Sequence, residues 1–206
     1  MPALLRIHPD NPQPRLIDQA VDCLNDGGVI VYPTDSCYAL ACRIGDKEAL
    51  ERIRRIRQLD KFHHMTLVCR DLGEISSYAR VDNRSYRLIK SLTPGPYTFL
   101  LPASRDVPRR LQHSRRKTIG LRVPENRIAR ELLQTLNEPV LSTSLILPGE
   151  TLPMTDPEDI FECLQGVIDL VIDGGAGGHE PTTVIDLVAD QETVLRQGKG
   201  KVSWSD

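Results

Sequence analysis

Two kinds of hydrophobic periodicity alternate along almost the whole chain, and this alternation restricts the available folds more than any other feature of the sequence. Short apolar runs such as residues 29–32 and 118–123 are typical of buried strands. Between such runs, segments such as residues 14–26 and 127–136 place apolar side chains every three or four positions, which predicts amphipathic helices. Strands that alternate with helices favour an α/β (α+β-like) fold, in which helices pack on a mixed sheet.

The same pattern sets the expected bounds of the elements. Helices are predicted over residues 14–26, 47–58, 84–92, 127–136 and 156–164. Strands are predicted over residues 29–32, 37–44, 65–69, 97–101, 118–123, 139–147, 167–172, 184–188 and 194–196. No repeat, low-complexity tract or long linker separates these segments, so we expect residues 1–206 to form a single domain.

Composition and charge argue against several classes of protein. The net charge of -2 gives no overall attraction to nucleic acid. The N-terminal segment lacks the apolar core of a signal peptide and no run is long enough to cross a bilayer, so we expect a cytoplasmic protein without a membrane partner. The five cysteines contain no CxxC pair and predict free core thiols. The five histidines are scattered or adjacent, which predicts no metal site.

Polar residues interrupt the apolar pattern after two predicted strands. Thr34, Asp35 and Ser36 follow the first, where open α/β sheets commonly bind ligands; a turn that caps its own backbone is the alternative. Ser142 and Ser144 lie at the end of a later strand and should point to one face, where they could bind phosphate or carboxylate oxygens. Cross-strand pairing of hydroxyl groups is the alternative for these serines.

Arginine is concentrated in two stretches of the chain. Residues 105–130 contain nine basic and two acidic residues, and the predicted helix 47–58 carries four more arginines. Dense positive charge attracts phosphates, although such runs are more often solvated faces. The candidate RNA or phosphate patch comprises Arg52, Arg54, Arg55, Arg109, Arg110, Arg115, Arg116 and Lys117. Arg122 differs because it lies within an apolar strand, where a guanidinium needs an anionic partner or ligand.

A glycine-rich segment, residues 174–178, follows another predicted strand. Glycines at such a position let the backbone approach a ligand, but the segment matches neither the dinucleotide-binding nor the P-loop pattern. A plain flexible loop is an equal alternative.

Taken together, five segments resemble motifs of the YrdC-like family of threonylcarbamoyl-adenylate synthases. In chain order they read VIVYPTDSCYAL, TPGPYTFLLPA, TIGLRVP, PVLSTS and PTTVIDL…VLRQGKG. The family has these motifs in the same order, and the IHPDNPQ opening and the RIRQL segment are most similar to its YciO branch.

The resemblance implies a fold, a ligand and roles for particular residues. It implies a twisted mixed sheet flanked by helices around a large basic concave cleft. It also implies an adenine nucleotide as partner, with no tightly bound cofactor and with Mg-ATP as a substrate beside threonine and bicarbonate. Thr34 and Arg122 would contact the threonine. The nucleotide would be bound by Arg57, Thr118, Ser142, Ser144 and Arg196.

This chain departs from the synthase pattern at three places. Leu59 stands where the synthases carry the arginine of a Lys-x-Arg pair, and Arg57 stands for the lysine. Ile146 replaces the asparagine of a Ser-x-Asn motif, and residues 62–65 differ from the family's Asn-Pro-Leu run. The loss of one charged contact commonly costs about 1.5–3 kcal/mol, so we expect weakened or altered catalysis.

Three functions stay open at this point. The first is a nucleotide- or RNA-binding protein with weakened catalysis, whose RNA partner would be a duplex or tRNA because aromatic residues make up only 4% of the chain. The second is an active threonylcarbamoyl-AMP synthase, a nucleotidyltransferase of tRNA modification. The third is a hydrolase with a nucleophile from Ser142–Ser144, for which the sequence shows no histidine partner.

Overall fold

Ten strands and six α-helices follow one another in a computed structural model that describes residues 2–60, 63, 65–113, 115–189, 191–202 and 204. The strands are β1 (Ala3–Arg6), β2 (Ile30–Tyr32), β3 (Ala39–Arg43), β4 (Thr66–Val68), β5 (Tyr97–Pro102), β6 (Thr118–Arg122), β7 (Val140–Ser144), β8 (Leu170–Asp173), β9 (Thr183–Asp186) and β10 (Thr193–Arg196). The helices are α1 (Pro14–Asn25), α2 (Lys47–Arg57), α3 (Leu72–Tyr78), α4 (Asn83–Leu92), α5 (Arg127–Leu136) and α6 (Pro157–Leu164).

All ten strands belong to one mixed sheet, in the order β1-β8-β2-β3-β7-β4-β6-β5-β9-β10. Four neighbouring pairs are parallel, β1 with β8, β2 with β8, β4 with β6 and β5 with β9. The remaining five pairs are antiparallel. The mixed sheet with flanking helices confirms the predicted fold class.

The predicted helices and strands are confirmed, with shifted ends, and a further strand, a further α-helix and a short 3₁₀-helix (Arg109–Leu111) are present. Strand β1 was missed because four residues are too few to show a period; it pairs with β8 at the edge of the sheet. Helix α3 was missed because Gly73 and two serines lower its helix propensity. It forms because the Asp71 side chain accepts a hydrogen bond from the Glu74 backbone N–H and Ile75 is buried.

Local signals in the sequence explain where the helices begin and end. Pro14 occupies the first turn of α1, whose buried face consists of Ile17, Ala20, Val21 and Leu24. The Asp46 side chain caps α2, and Gln58 ends that helix in the left-handed conformation with a φ of 49°. The turn at Gln58 directs the chain from the helix layer toward the end of the sheet.

The two faces of the sheet are covered unequally, and this difference creates the cleft. On one face, α2, α3, α4 and α6 pack over strands from β2 to β9 in a core with Leu40, Leu67 and Phe99. On the other face, α1 and α5 pack over β8, β2, β3 and the near ends of β7 and β4, with Tyr32 and Val140 in that core. The half-face from β7 to β10 has no helix above it in the described part of the chain.

None of the helices in the described residues is long and apolar enough to cross a membrane. All five cysteines are free thiols. Cys37, Cys42 and Cys69 are buried as predicted, whereas Cys163 is exposed. The prediction of a core position was wrong for Cys163 because its side chain lies on the outer face of α6.

Candidate functional site

A cleft of about 630 Å³ lies on the uncovered half-face of the sheet. Its floor consists of side chains that point to one face of successive strands. The paired registers place Ser142 of β7 opposite Thr66 of β4, and Leu100 of β5 two strands further along the sheet. The residues that line it are Cys37, Ala39, Arg57, Gln58, Leu59, Asp60, His63, Thr66, Val68, Thr98, Leu100, Arg122, Ser142, Thr143, Ser144, Ile146, Thr182, Val184, Leu195 and Arg196.

Two arginines that line the cleft, Arg57 and Arg196, form no ion pair with a carboxylate of the described residues. Arg57 lies in the last turn of α2, and its Nε is buried with no hydrogen-bond partner among the described residues. Arg196, on the edge strand β10, donates from Nε and Nη2 to the carbonyl oxygen of Thr182, at 3.1 and 2.9 Å. Partial burial lowers the pKa of both guanidinium groups. A bound anion would offset the free-energy cost of removing both charged groups from water.

The three hydroxyl groups at the end of β7 are not equivalent. The Ser142 hydroxyl donates to the carbonyl of Leu40 at 2.9 Å and accepts from the Tyr32 hydroxyl at 3.1 Å. The side chain of Ser144 makes no hydrogen bond within the described residues. The Ser144 hydroxyl is therefore available to a ligand, whereas the Ser142 hydroxyl already donates its proton to a backbone carbonyl of the sheet.

Arg122, which lies in an apolar strand, has an anionic partner within the protein. Its guanidinium forms an ion pair with Asp35, and the two side chains are only 7% and 11% exposed. Nη2 also contacts the Thr34 hydroxyl at 3.4 Å, and the second Asp35 oxygen accepts from the Glu125 backbone N–H at 3.1 Å. The turn after β2 thus clamps the arginine at one end of the cleft.

Thr34 lies beneath the cleft surface rather than in its lining. Its hydroxyl donates to the carbonyl of Cys37 at 2.7 Å and accepts from the Ser36 backbone N–H at 3.1 Å. These bonds fix the turn that carries Asp35, so the turn-capping alternative describes this residue well. Thr118 is fully buried in β6, away from the cleft lining, and its hydroxyl has no partner among the described residues.

The glycine-rich segment packs behind the same turn and does not line the cleft. The Tyr38 hydroxyl donates to the carbonyl of Gly175 at 2.7 Å. A Cβ at Gly177 would come within 2.6 Å of the Tyr38 ring, and one at Gly178 within 2.2 Å of the Ser36 carbonyl. Close packing against the protein itself thus requires glycine at positions 177 and 178, which favours a packed segment over a flexible loop.

Gly178→Ala should therefore destabilise the protein by about 1–3 kcal/mol, the usual cost of overpacking. The displaced Ser36 carbonyl should also disturb the Thr34–Asp35 turn. Gly166→Ala is the matched control, because a Cβ there meets no atom within 4 Å. Urea denaturation of the three proteins measures the effect, and equal loss in both variants would contradict it.

The candidate RNA patch lies outside the cleft lining, and several of its members have partners. Arg52 pairs with Asp169 at 2.8 Å and Arg116 with Asp186 at 2.5 Å. Arg54 pairs with Glu51 at 2.7 Å, Arg55 donates to the Glu51 carbonyl at 3.4 Å, and Arg110 donates to the carbonyl of Gly45 at 2.6 Å. Arg109, Arg115 and Lys117 also lie away from the lining. RNA binding by this patch stays a prediction.

Sequence reasoning missed His63 as a cleft residue. It considered the histidines as metal ligands and as partners of a serine nucleophile, and it found neither because His63 and β7 are far apart in the sequence. The structure places the His63 Nε2 3.3 Å from the Thr143 hydroxyl, across 80 residues of chain. Of the segment that differs from the family run, Phe62 and His64 lie outside the described residues. No group of three His, Cys, Asp or Glu side chains able to hold a metal ion occurs in the described part of the chain.

The fold and the cleft define a class of protein: a mixed α/β fold with a cleft on the half of one sheet face that no described helix covers. A family model named Sua5/yciO/yrdC, described as telomere recombination, matches residues 22–198. The chain belongs to this family.

Its relatives include both uncharacterised proteins and synthases. It is 59% identical over 196 residues to a protein of Escherichia coli K12 named uncharacterized protein YciO, with 95% of each chain covered. The crystal structure of E. coli YciO matches with a TM-score of 0.96 at 57% identity over 98% of both chains. The threonylcarbamoyl-AMP synthase of Chromobacterium violaceum is 34% identical over 183 residues, covering 87% of this chain and 92% of the relative.

A more distant solved structure is that of P. abyssi Sua5 complexed with L-threonine. It has a TM-score of 0.87 at 25% identity, and the match covers 95% of this chain and 57% of that one. The resemblance to threonylcarbamoyl-AMP synthases is therefore confirmed at the level of family and fold.

Proposed function

We propose that the cleft binds an adenine nucleotide and that the protein catalyses threonylcarbamoyl-AMP synthesis only weakly or in an altered form. The observation that carries this proposal is the pair of guanidinium groups, Arg57 and Arg196, that face the cleft without a carboxylate partner among the described residues. Most arginines of the candidate RNA patch, which lies outside the cleft, are already paired with acids or hydrogen-bonded to carbonyls. A phosphate is the ligand that two such cations attract most strongly.

The free hydroxyl of Ser144 supports the same ligand. It lies at the end of β7 and lines the cleft together with both arginines. A hydroxyl can donate to a phosphate oxygen while the guanidinium groups supply the charge. Thr118 would support the site from within the sheet, whereas Ser142 lines the cleft with its hydroxyl proton already donated to the Leu40 carbonyl.

The end of the cleft at Arg122 suits the amino-acid substrate. The P. abyssi relative is complexed with L-threonine, and this chain retains the arginine strand of the family. Asp35 neutralises the charge of the guanidinium, but the Arg122 Nε is buried without a hydrogen-bond partner among the described residues. A substrate carboxylate at this end would satisfy that donor and would be held beside the nucleotide phosphates.

Two apolar side chains explain why turnover should be weak. Leu59 and Ile146 both line the cleft, close in sequence to Arg57 and Ser144. Neither can donate a hydrogen bond or neutralise charge that develops on the phosphates in the transition state. The cleft would then bind nucleotide but stabilise the transition state poorly.

Calorimetric titration with ATP and with ADP tests the nucleotide site directly. The wild-type protein should bind both, and Arg57→Gln or Arg196→Gln should weaken binding by about 10–150-fold, the equivalent of one lost charged hydrogen bond. Arg54→Gln is the matched control, because Arg54 pairs with Glu51 outside the cleft. Absence of binding at millimolar nucleotide, or equal weakening in the control, would refute the proposal.

A further inference from the structure

The guanidinium of Arg196 is held along one edge by a single residue, Thr182. Its Nε and Nη2 donate to the Thr182 carbonyl oxygen at 3.1 and 2.9 Å, and Nη2 also donates to the Thr182 hydroxyl at 3.2 Å. A guanidinium has five N–H groups. Three of them are taken up by Thr182, whereas the two on Nη1 have no hydrogen-bond partner among the described residues. The Nη1 side of this arginine is therefore the one that a phosphate oxygen would contact.

A second threonine holds the hydroxyl that accepts from Arg196. The Oγ1 atoms of Thr98 and Thr182 lie 2.8 Å apart, and either hydroxyl could be the donor. Both residues line the cleft, yet they are only 7% and 5% exposed, so each hydroxyl depends on the other for a partner. The backbone at Thr182 is fixed separately, because the next N–H, that of Thr183, donates to the Pro96 carbonyl at 3.0 Å. The orientation of the Thr182 hydroxyl is thus the part of this contact that depends on Thr98.

The strand registers separate Thr98 from the arginine. Thr98 of β5 lies opposite Val184 of β9, and Val184 lies opposite Arg196 of β10. Among the described residues Thr98 makes no hydrogen bond to Arg196, so it acts on that arginine through Thr182. Strand β10 is at the edge of the sheet, and Arg196 is exposed there. A long side chain in such a position samples many rotamers unless hydrogen bonds hold it.

We propose that Thr98 is a positioning residue for phosphate binding, which holds Arg196 through the Thr182 hydroxyl and leaves the two Nη1 hydrogens for the ligand. This proposal rests on the proposed nucleotide site. A side chain that already has its bound orientation loses less conformational entropy when the ligand binds. The Arg57 Nε has no such partner among the described residues. Arg196 would therefore be the pre-organised cation of the pair.

Calorimetric titration of the full chain with Mg-ATP tests this role. Thr98→Val keeps the shape of the side chain and removes its hydroxyl. It should weaken ATP binding by about 2–10-fold, the equivalent of one neutral hydrogen bond. Thr98→Ser keeps the hydroxyl and should restore the wild-type affinity.

A double-mutant cycle shows whether Thr98 acts through Arg196. In a protein that already carries Arg196→Gln, Thr98→Val should cause no further loss of ATP affinity, because the guanidinium that it positions is absent. Thr66→Val is the matched control, since Thr66 also lines the cleft but has no hydrogen bond to Thr182 or Arg196 among the described residues. Its effect on ATP affinity should be the same with and without Arg196→Gln.

Urea denaturation of the same variants separates positioning from a structural role. If the hydroxyl pair only stabilises the sheet, Thr98→Val lowers the free energy of unfolding and leaves ATP affinity unchanged, which would overturn the proposal. An equal loss of affinity with and without Arg196→Gln, or a Thr98→Ser variant that binds as weakly as Thr98→Val, would also overturn it.

The outcomes distinguish this proposal from the one on which it rests. If the wild-type protein does not bind ATP, the nucleotide site is refuted, and the role of Thr98 with it. If ATP binds and Arg196→Gln weakens binding, but Thr98→Val does not, the nucleotide site stands and only the role of Thr98 is refuted.

Discussion

Asp35→Asn should lower the free energy of unfolding by about 3–5 kcal/mol, because it leaves the charge of Arg122 buried without a counter-charge. The two side chains are 7% and 11% exposed, so water cannot replace the lost carboxylate. The amide also weakens the bond accepted from the Glu125 N–H. Urea denaturation of the wild type and variant measures the loss.

A double-mutant cycle separates the ion pair from other effects of the substitution. Arg122→Met removes the other charge, and the double variant should be more stable than the sum of the single losses predicts, because neither charge is then left alone. Glu138→Gln serves as the control, since Glu138 pairs with Arg43 and the two side chains are 26% and 38% exposed, respectively. That substitution should cost no more than about 1 kcal/mol. Strict additivity of the Asp35 and Arg122 variants would contradict the coupling.

Leu59→Arg combined with Ile146→Asn should raise threonylcarbamoyl-AMP synthesis by about 100-fold or more, if each restored contact contributes about 1.5–3 kcal/mol to the transition state. The two side chains already line the cleft beside Arg57 and Ser144, so the new groups would face the nucleotide phosphates. Pyrophosphate and adenylate formation from ATP, threonine and bicarbonate provide the measurement. The comparison is a family synthase that carries both complete motifs.

The control for this experiment must add charge elsewhere. Leu152→Arg places an arginine at an exposed position, 59% accessible, that does not line the cleft. It should leave turnover unchanged. A wild-type turnover equal to that of the complete synthase would show that Leu59 and Ile146 are tolerated, and no gain in the double variant would show that other differences limit catalysis.

The sequence by itself determined the layers of the fold, because hydrophobic periodicity directly reports which side of an element is buried. The alternation of strand-like and helix-like hydrophobic patterns was enough to predict the mixed α/β class. The position of Arg122 within an apolar strand was enough to require an anionic partner. The order of the motifs identified the family, because proteins that form the same sheet carry these segments in the same order along the chain.

Only the tertiary structure decided which polar groups remain available to a ligand. Ser142 and Ser144 look alike in sequence, yet the Tyr32 hydroxyl and the Leu40 carbonyl engage one of them and leave the other free. The partner of Arg122 lies 87 residues away, and the His63–Thr143 pair spans 80. Such pairings depend on the strand order and on the faces that helices leave uncovered. The strand order and the uncovered faces depend on packing between segments that are distant in sequence, so no local pattern of residues predicts them.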